Sequence, residues 1–121
     1  MPSIFLSPST QDFNQYYDNS GSERYYMNLI ADAMEPYLTT SGISYTRNNP
    51  NATVQQSIED SNAGNYDLHL ALHSNASPEA LAGKLTGSDF YYYTRSLRGR
   101  DAATVLADNF MSVYPDPSKV R

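Results

Sequence analysis

The stretch YDLHLALHSNA, at residues 66–76, decides the fold and holds both histidines of the chain. Its three leucines fall on one face of a period-two pattern, and His69, Ala71 and His73 fall on the other. This alternation predicts a β-strand from Tyr66 to His73 at the centre of a sheet. Because ligand crevices in open α/β sheets lie beyond the carboxyl ends of the strands, His73 is predicted to lie at a functional site.

The second histidine of this stretch is separated from the first along the strand. His69 precedes His73 by four residues, which is about 13 Å at roughly 3.3 Å per residue. The two imidazoles therefore cannot bind the same metal ion, and a site at His73 needs ligands from elsewhere in the chain. We interpret His69 as a buried, hydrogen-bonded core residue rather than a catalytic one.

The segments on both sides of this stretch predict a regular alternation of strands and helices. Apolar or β-prone runs predict three more strands, at Ser3–Ser7, Ile43–Arg47 and Phe90–Tyr93. Capping residues and helical spacing predict three helices: from Ser20 or Ser22 to about Gly42, from Thr53 to about Asn62, and over Ala102–Val113. A helical turn is also expected at Ser77–Ala82. The order β-α-β-α-β-β-α predicts a single α/β domain, 1–121, with a mostly parallel sheet flanked by helices.

Composition excludes several functional classes. The 121 residues carry 8 Lys and Arg against 13 Asp and Glu, and the resulting net charge of −5 argues against a nucleic-acid partner. The absence of cysteine excludes a disulfide scaffold and a thiolate metal site. The sequence contains neither a signal-peptide pattern nor an apolar run long enough to span a bilayer. We therefore expect no membrane partner, and the composition leaves the compartment open.

Taken together, these segments resemble the zinc-dependent N-acetylmuramoyl-L-alanine amidases of the Amidase_3 type, which cut peptide stems from bacterial peptidoglycan. The resemblance covers nearly the whole chain and rests on five matches in the family's order: Glu23 opening a helix that reaches Gly42, Thr46–Arg47, Ser61–Asn62, Leu72–Ala76, and Gly87 with Phe90–Tyr93. It implies a three-layer sandwich of the phosphorylase/hydrolase-like kind. It also implies a cell-wall hydrolase, or autolysin, that cleaves the amide between N-acetylmuramic acid and L-alanine.

The resemblance implies a zinc site with Glu23 and His73 as ligands. Where the family ends its first strand in Asp-Pro-Gly-His-Gly, this chain has Ser-Pro-Ser-Thr-Gln, so Thr10 or Gln11 offers only an oxygen in place of the first imidazole. We therefore expect a weak or incomplete Zn²⁺ site. The family's general-base glutamate is expected beyond Arg121, so the chain matches about the first two thirds of the domain and is expected to be inactive alone.

The resemblance also bears on partners. Asn75, in the loop after His73, and Tyr16 and Tyr17, in the loop before Glu23, are the candidate peptidoglycan-binding residues, because amphipathic tyrosine rings stack on sugars. We interpret the tyrosines at 91–93 as plain strand residues instead. A sheet lacking its last strand would expose an edge, which favours self-association.

Other interpretations stay open at this point. Glu23 also fits a first-turn carboxylate stabilised by the helix dipole, and His73 also fits a hydrogen-bonded strand-end residue. The main alternative function is a degenerate member that binds peptidoglycan without cutting it, and a third is a fold-only relative with an unrelated ligand. A serine hydrolase using Ser7 or Ser9 with His73 lacks the supporting Gly-x-Ser-x-Gly segment.

Overall fold

The computed structural model describes residues 2–12, 15–16, 20–74 and 87–121. The chain divides into two compact units, Met1–Glu79 and Ala80–Arg121. The first unit contains the sheet and both of the residues predicted as zinc ligands. The second contains the last helix. The helical turn predicted at Ser77–Ala82 lies outside the described residues.

The first unit is a small α/β structure with a parallel three-stranded sheet. Its elements, in chain order, are β1 (Ser3–Pro8), α1 (Glu23–Thr40), β2 (Ser44–Arg47), α2 (Val54–Ala63) and β3 (Leu68–Leu72). Both β2 and β3 pair in parallel with β1, and Ile4 stands opposite Tyr45 on one side and Leu68 on the other. The α/β class, the parallel sheet and these five elements are confirmed.

The order of the strands corrects one prediction. The sheet order is β2-β1-β3, so β1 rather than β3 is the central strand. The physical reason is visible in burial: five consecutive residues of β1, Ile4 to Pro8, are buried, whereas β3 alternates between half-buried and exposed positions. A continuous apolar run suits a strand covered on both faces, and an alternating one suits a strand with one open face.

The core lies between the sheet and α1. Ile4, Leu6 and Ala31 are its buried members. Around them pack seven half-buried side chains: Met34, Leu38, Ile43, Tyr45, Leu68, Leu70 and Leu72. The three leucines of β3 thus lie on the core side, as the period-two pattern predicts. This packing holds the first turn of α1 close to the carboxyl ends of β1 and β3.

Polar contacts fix α1 against β2 as well. Arg47, at the end of β2, donates from Nη1 to Glu35 at 2.6 Å and to Asp32 at 2.9 Å. Its Nη2 donates to Asn28 at 2.9 Å. These partners lie on successive turns of α1, so a single half-buried guanidinium sets the helix position on the sheet.

The second unit corrects another prediction. Residues 90–93 form no strand, and the one bridge in the described part of this unit pairs Ser88 with Val120. The predicted strand was wrong because β-propensity needs a neighbouring strand, and the described residues of this unit provide none beyond that bridge. The last helix, α3, spans Leu97–Met111 and begins earlier than predicted because the Ser96 hydroxyl accepts from the Gly99 amide at 2.9 Å. A short 3₁₀ turn, Pro117–Lys119, follows it.

Among the helices of the described segments, none is long and apolar enough to cross a membrane.

Candidate functional site

A buried carboxylate, Glu23, is the centre of the candidate site. It is the first residue of α1, directly after Ser22, whose hydroxyl caps the helix by accepting from the Tyr25 amide at 3.2 Å. The positive end of the helix dipole stabilises a negative charge at this position. Glu23 is only 1% exposed, so its charge needs protein partners in place of water.

Those partners come from the carboxyl ends of β1 and β3. The Ser9 hydroxyl, just after β1, donates to Oε2 of Glu23. The Ser74 backbone amide donates to Oε1 at 3.1 Å, and His73 Nδ1 lies 3.4 Å from Oε2. Three segments that are far apart in sequence therefore converge on one carboxylate at the predicted edge of the sheet.

The orientation of His73 determines which nitrogen is open to chemistry. Its Nδ1 faces Glu23, and its side chain is 47% exposed while that of Glu23 is 1% exposed. A carboxylate beside Nδ1 accepts a hydrogen bond from it and so favours the tautomer with the proton on Nδ1. In this arrangement Nε2 is open to a proton or a substrate, whereas a metal ion shared with Glu23 would bind at Nδ1, the nitrogen that faces the carboxylate.

Ser9 contacts Glu23 directly and precedes Thr10, where the resemblance puts the missing ligand. It is 2% exposed, and its amide donates to the Leu72 carbonyl at 2.9 Å, which continues the β1–β3 pairing beyond Pro8. Its hydroxyl accepts from the Gln11 amide at 3.1 Å while donating to Glu23. A nucleophilic serine would instead bond to the imidazole, so this geometry differs from that of a serine hydrolase.

The remaining candidates lie around this centre. Thr10 and Gln11 are half-buried in the turn after β1, and the hydrogen bonds of the described residues include none from either side chain to Glu23 or His73. The Tyr16 hydroxyl lies 2.6 Å from the Ser74 hydroxyl, which places one predicted sugar-binding tyrosine beside the site. Tyr17 and Asn75 lie outside the described residues.

Two contributors were not predicted as site residues. Ser9 was considered as a nucleophile and as part of the segment after the first strand, and Asn48 was given no role. Asn48 is 5% exposed and donates to the Pro8 carbonyl at 3.0 Å, which holds the chain where it enters the turn at Ser9. Their positions in the sequence could have indicated a role at the site. Both residues directly follow parallel strands, and the carboxyl ends of such strands meet at one edge of the sheet.

His69 corrects the prediction of a buried core residue. It is exposed on the face of β3 opposite the leucines, where Nδ1 lies 2.8 Å from the Ser61 hydroxyl of α2. Its ring also packs against Phe5 with a centroid distance of 5.3 Å. The predicted hydrogen bond is therefore present, but the predicted burial was wrong because β3 lies at an edge of the three-stranded sheet.

The environment of His69 leads to a prediction about pH. Partial burial desolvates the imidazole of His69 and is the main cause that lowers its pKa below the ordinary value. The nearby charge of His73 lowers this pKa further. His69 therefore takes up a proton more readily in the unfolded chain than in the folded one. As the pH falls from about 6.5 toward the pKa of His69 in the folded chain, this difference lowers the free energy of unfolding. Urea denaturation in metal-free buffer at pH 7.5 and 5.5 should show a smaller loss for His69→Gln than for the unaltered chain. An identical loss in both would contradict this assignment.

The donor set tests whether zinc fits this site. Imidazole and carboxylate are both zinc ligands, and zinc hydrolases use three protein ligands with one open position. Within the described segments, no group of three or more His, Asp or Glu side chains is arranged to hold a metal ion. Glu23 and His73 thus fit the metal in kind but are two in number, and the adjacent hydroxyl of Ser9 is a weak zinc donor.

Comparison of the chain with protein-family models, with curated proteins and with solved structures finds no significant match.

Proposed function

We propose that this chain belongs to a peptidoglycan hydrolase of the N-acetylmuramoyl-L-alanine amidase type, with an Amidase_3-like three-layer sandwich as its complete fold. The observation that carries the proposal is the meeting of Glu23 and His73. They are separated by 50 residues in sequence, yet Oε2 and Nδ1 lie 3.4 Å apart at the carboxyl edge of a parallel sheet. This is the pair of residues, and the place in the fold, that the resemblance implies for zinc binding.

In this proposal Glu23 and His73 hold a catalytic zinc ion. When bound, Zn²⁺ polarises the scissile carbonyl and lowers the pKa of its water. The chain's own residues bring the ligands together: Ser22 caps the helix that carries Glu23, and the Ser74 amide orients the carboxylate through its bond to Oε1. Tyr16, whose hydroxyl contacts that of Ser74, would bind the sugar beside the scissile amide in this proposal.

A second candidate is a module that binds peptidoglycan without cutting it. The observation in its favour is Ser9, whose hydroxyl occupies the contact with Glu23. A hydroxyl and a backbone amide already satisfy much of the carboxylate, so the site is stable without a metal ion. Metal binding and bond cleavage separate the two candidates.

Zinc binding provides the first test. With two strong ligands, we expect substoichiometric occupancy after dialysis against micromolar zinc, and lower occupancy still in His73→Ala. His69→Ala is the matched control, because it removes the other histidine of the same strand, about 13 Å away. Metal analysis should show an effect of the first variant only. Equal effects of both variants would mean that zinc binds elsewhere.

Muropeptide release provides the second half of the test. Purified walls are incubated with the chain, and release of stems that begin with L-alanine is measured with and without added zinc. The chain alone is expected to release little, so release that requires zinc and is lost in His73→Ala would support the amidase and overturn that expectation. Binding to walls without release, together with no zinc binding, supports the non-catalytic module and contradicts the main proposal.

A further inference from the structure

The hydroxyl of Ser9 is buried against the carboxylate of Glu23. Both residues are almost completely shielded from solvent. The hydroxyl donates to Oε2 of Glu23, and the same oxygen lies 3.4 Å from Nδ1 of His73. Ser9 therefore contacts the carboxylate oxygen through which Glu23 meets the histidine. A buried donor at that oxygen can control how the carboxylate is turned.

Neighbouring backbone groups hold Ser9 in the orientation that this contact needs. Its amide donates to the Leu72 carbonyl at 2.9 Å, and its hydroxyl oxygen accepts from the Gln11 amide at 3.1 Å. A serine hydroxyl has one proton to donate and two lone pairs that accept. Because the Gln11 amide takes up an acceptor site of the oxygen, the hydroxyl proton is directed toward Glu23. Ser9 is thus a fixed donor to the carboxylate.

The other oxygen of the carboxylate is held as well. The Ser74 amide donates to Oε1 of Glu23 at 3.1 Å. The terminal torsion of a glutamate side chain is broad, so a carboxylate without partners turns easily. With a donor on each oxygen, it cannot turn without breaking a hydrogen bond. Ser9 and Ser74 together therefore keep Oε2 facing His73.

The distance between Glu23 and His73 suits a shared metal ion. The 3.4 Å between Oε2 and Nδ1 is longer than the roughly 2.7–3.2 Å of most N–H···O hydrogen bonds. Two ligands of a tetrahedral zinc ion, each about 2.0–2.2 Å from the metal, lie roughly 3.3–3.6 Å from each other. The two donor atoms are therefore already at the spacing of two zinc ligands.

We propose that Ser9 is a positioning residue for metal binding, whose hydroxyl keeps Oε2 of Glu23 turned toward Nδ1 of His73. A carboxylate oxygen has more than one acceptor site, so the Ser9 hydroxyl and a metal ion can share Oε2. Ser9 acts through Glu23 and is not itself a ligand. Partners that hydrogen-bond to metal-binding side chains change metal affinity about 10–100-fold when they are removed. The choice of zinc as the metal rests on the proposed function.

The first measurement is zinc affinity, by competition of the full chain with a chromogenic chelator. Ser9→Ala should bind zinc about 10–100-fold more weakly than the unaltered chain. Ser9→Thr keeps the hydroxyl and should bind zinc as the unaltered chain does. Ser61→Ala is the matched control, because the Ser61 hydroxyl lies 2.8 Å from Nδ1 of His69, the other histidine of β3. Its zinc affinity should be unchanged.

The second measurement needs no metal. Nitrogen-15 NMR of the imidazoles, at a pH where both histidines are neutral, reports which ring nitrogen carries the proton. In the unaltered chain His73 should carry it mainly on Nδ1, which faces Glu23. In Ser9→Ala the carboxylate is free to turn, so this fraction should fall. Unchanged signals of His69 would show that the variant is folded, and Ser61→Ala should leave the His73 tautomer unchanged.

The outcomes separate the role of Ser9 from the proposed function. Unchanged zinc affinity in Ser9→Ala, with zinc still lost in His73→Ala, would overturn the role of Ser9 and leave the proposed function standing. Equal losses in Ser9→Ala and Ser9→Thr would show an effect of packing rather than of the hydroxyl, and would also overturn it. So would a His73 tautomer that does not change in Ser9→Ala. If the unaltered chain binds no zinc but Ser9→Ala shifts the tautomer, the proposed function fails and the positioning of Glu23 by Ser9 is supported.

Discussion

Replacing Thr10 with histidine is expected to raise zinc affinity by at least about 100-fold, because an outer-shell partner alone changes metal affinity roughly 10–100-fold and this change adds a direct ligand. Thr10 directly follows Ser9, whose hydroxyl donates to Glu23. Thr10 is half-buried. The resemblance also places the family's first histidine at this position.

The gain should depend on the existing pair. In Thr10→His combined with His73→Ala, the third ligand is added while the second is removed, and affinity should return to about the level of the unaltered chain. Competition with a chromogenic chelator measures all three proteins under the same conditions. A gain that survives the loss of His73 would place the new histidine in a different site. Affinity unchanged by Thr10→His would mean that residue 10 does not face Glu23.

Leu6→Ala is expected to lower the free energy of unfolding of the first unit by about 2–5 kcal/mol. Leu6 is fully buried on the central strand, where it packs with Ile4 and Ala31. Truncation removes apolar contacts and leaves a cavity between the sheet and α1. Because small domains are stable by roughly 5–15 kcal/mol, this single change removes a large share of the total.

Leu29→Ala is the matched control for that experiment. Leu29 lies on α1 of the same unit and is 46% exposed, so its truncation should cost about 1 kcal/mol or less. Urea denaturation followed by far-ultraviolet circular dichroism measures both variants. If the two variants lose equal stability, the core does not lie between β1 and α1.

The helices and strands of the first unit were predictable because their signals are local. Ser22 and Thr53 accept hydrogen bonds from backbone amides three residues later, and this capping depends only on neighbouring sequence. Gly42, with φ of +74°, ends the turn after α1 in a conformation that glycine adopts without strain. The face of β3 that meets the core also followed directly from its period-two pattern.

The site was predictable in part. The rule that parallel strands present their carboxyl ends at one edge placed His73 correctly, and the position of Glu23 beside it was implied by the resemblance. The contact between Ser9 and Glu23 was not predictable from spacing, because it depends on how the turn after β1 folds over the helix start. Whether Asn48 would reach the Pro8 carbonyl depended likewise on the pairing of β2 with β1.

By itself, the sequence determined the α/β class, the ends of most elements and the edge of the sheet where His73 and Glu23 lie, because caps, turns and period-two patterns act over a few residues. The tertiary structure decided the strand order, the exposure of His69 and the absence of a strand at 90–93. Each of these depends on which segments become neighbours in space. A strand is central only when other segments supply hydrogen-bonding partners along both of its edges. A β-prone run becomes a strand only when another segment supplies such partners along one edge.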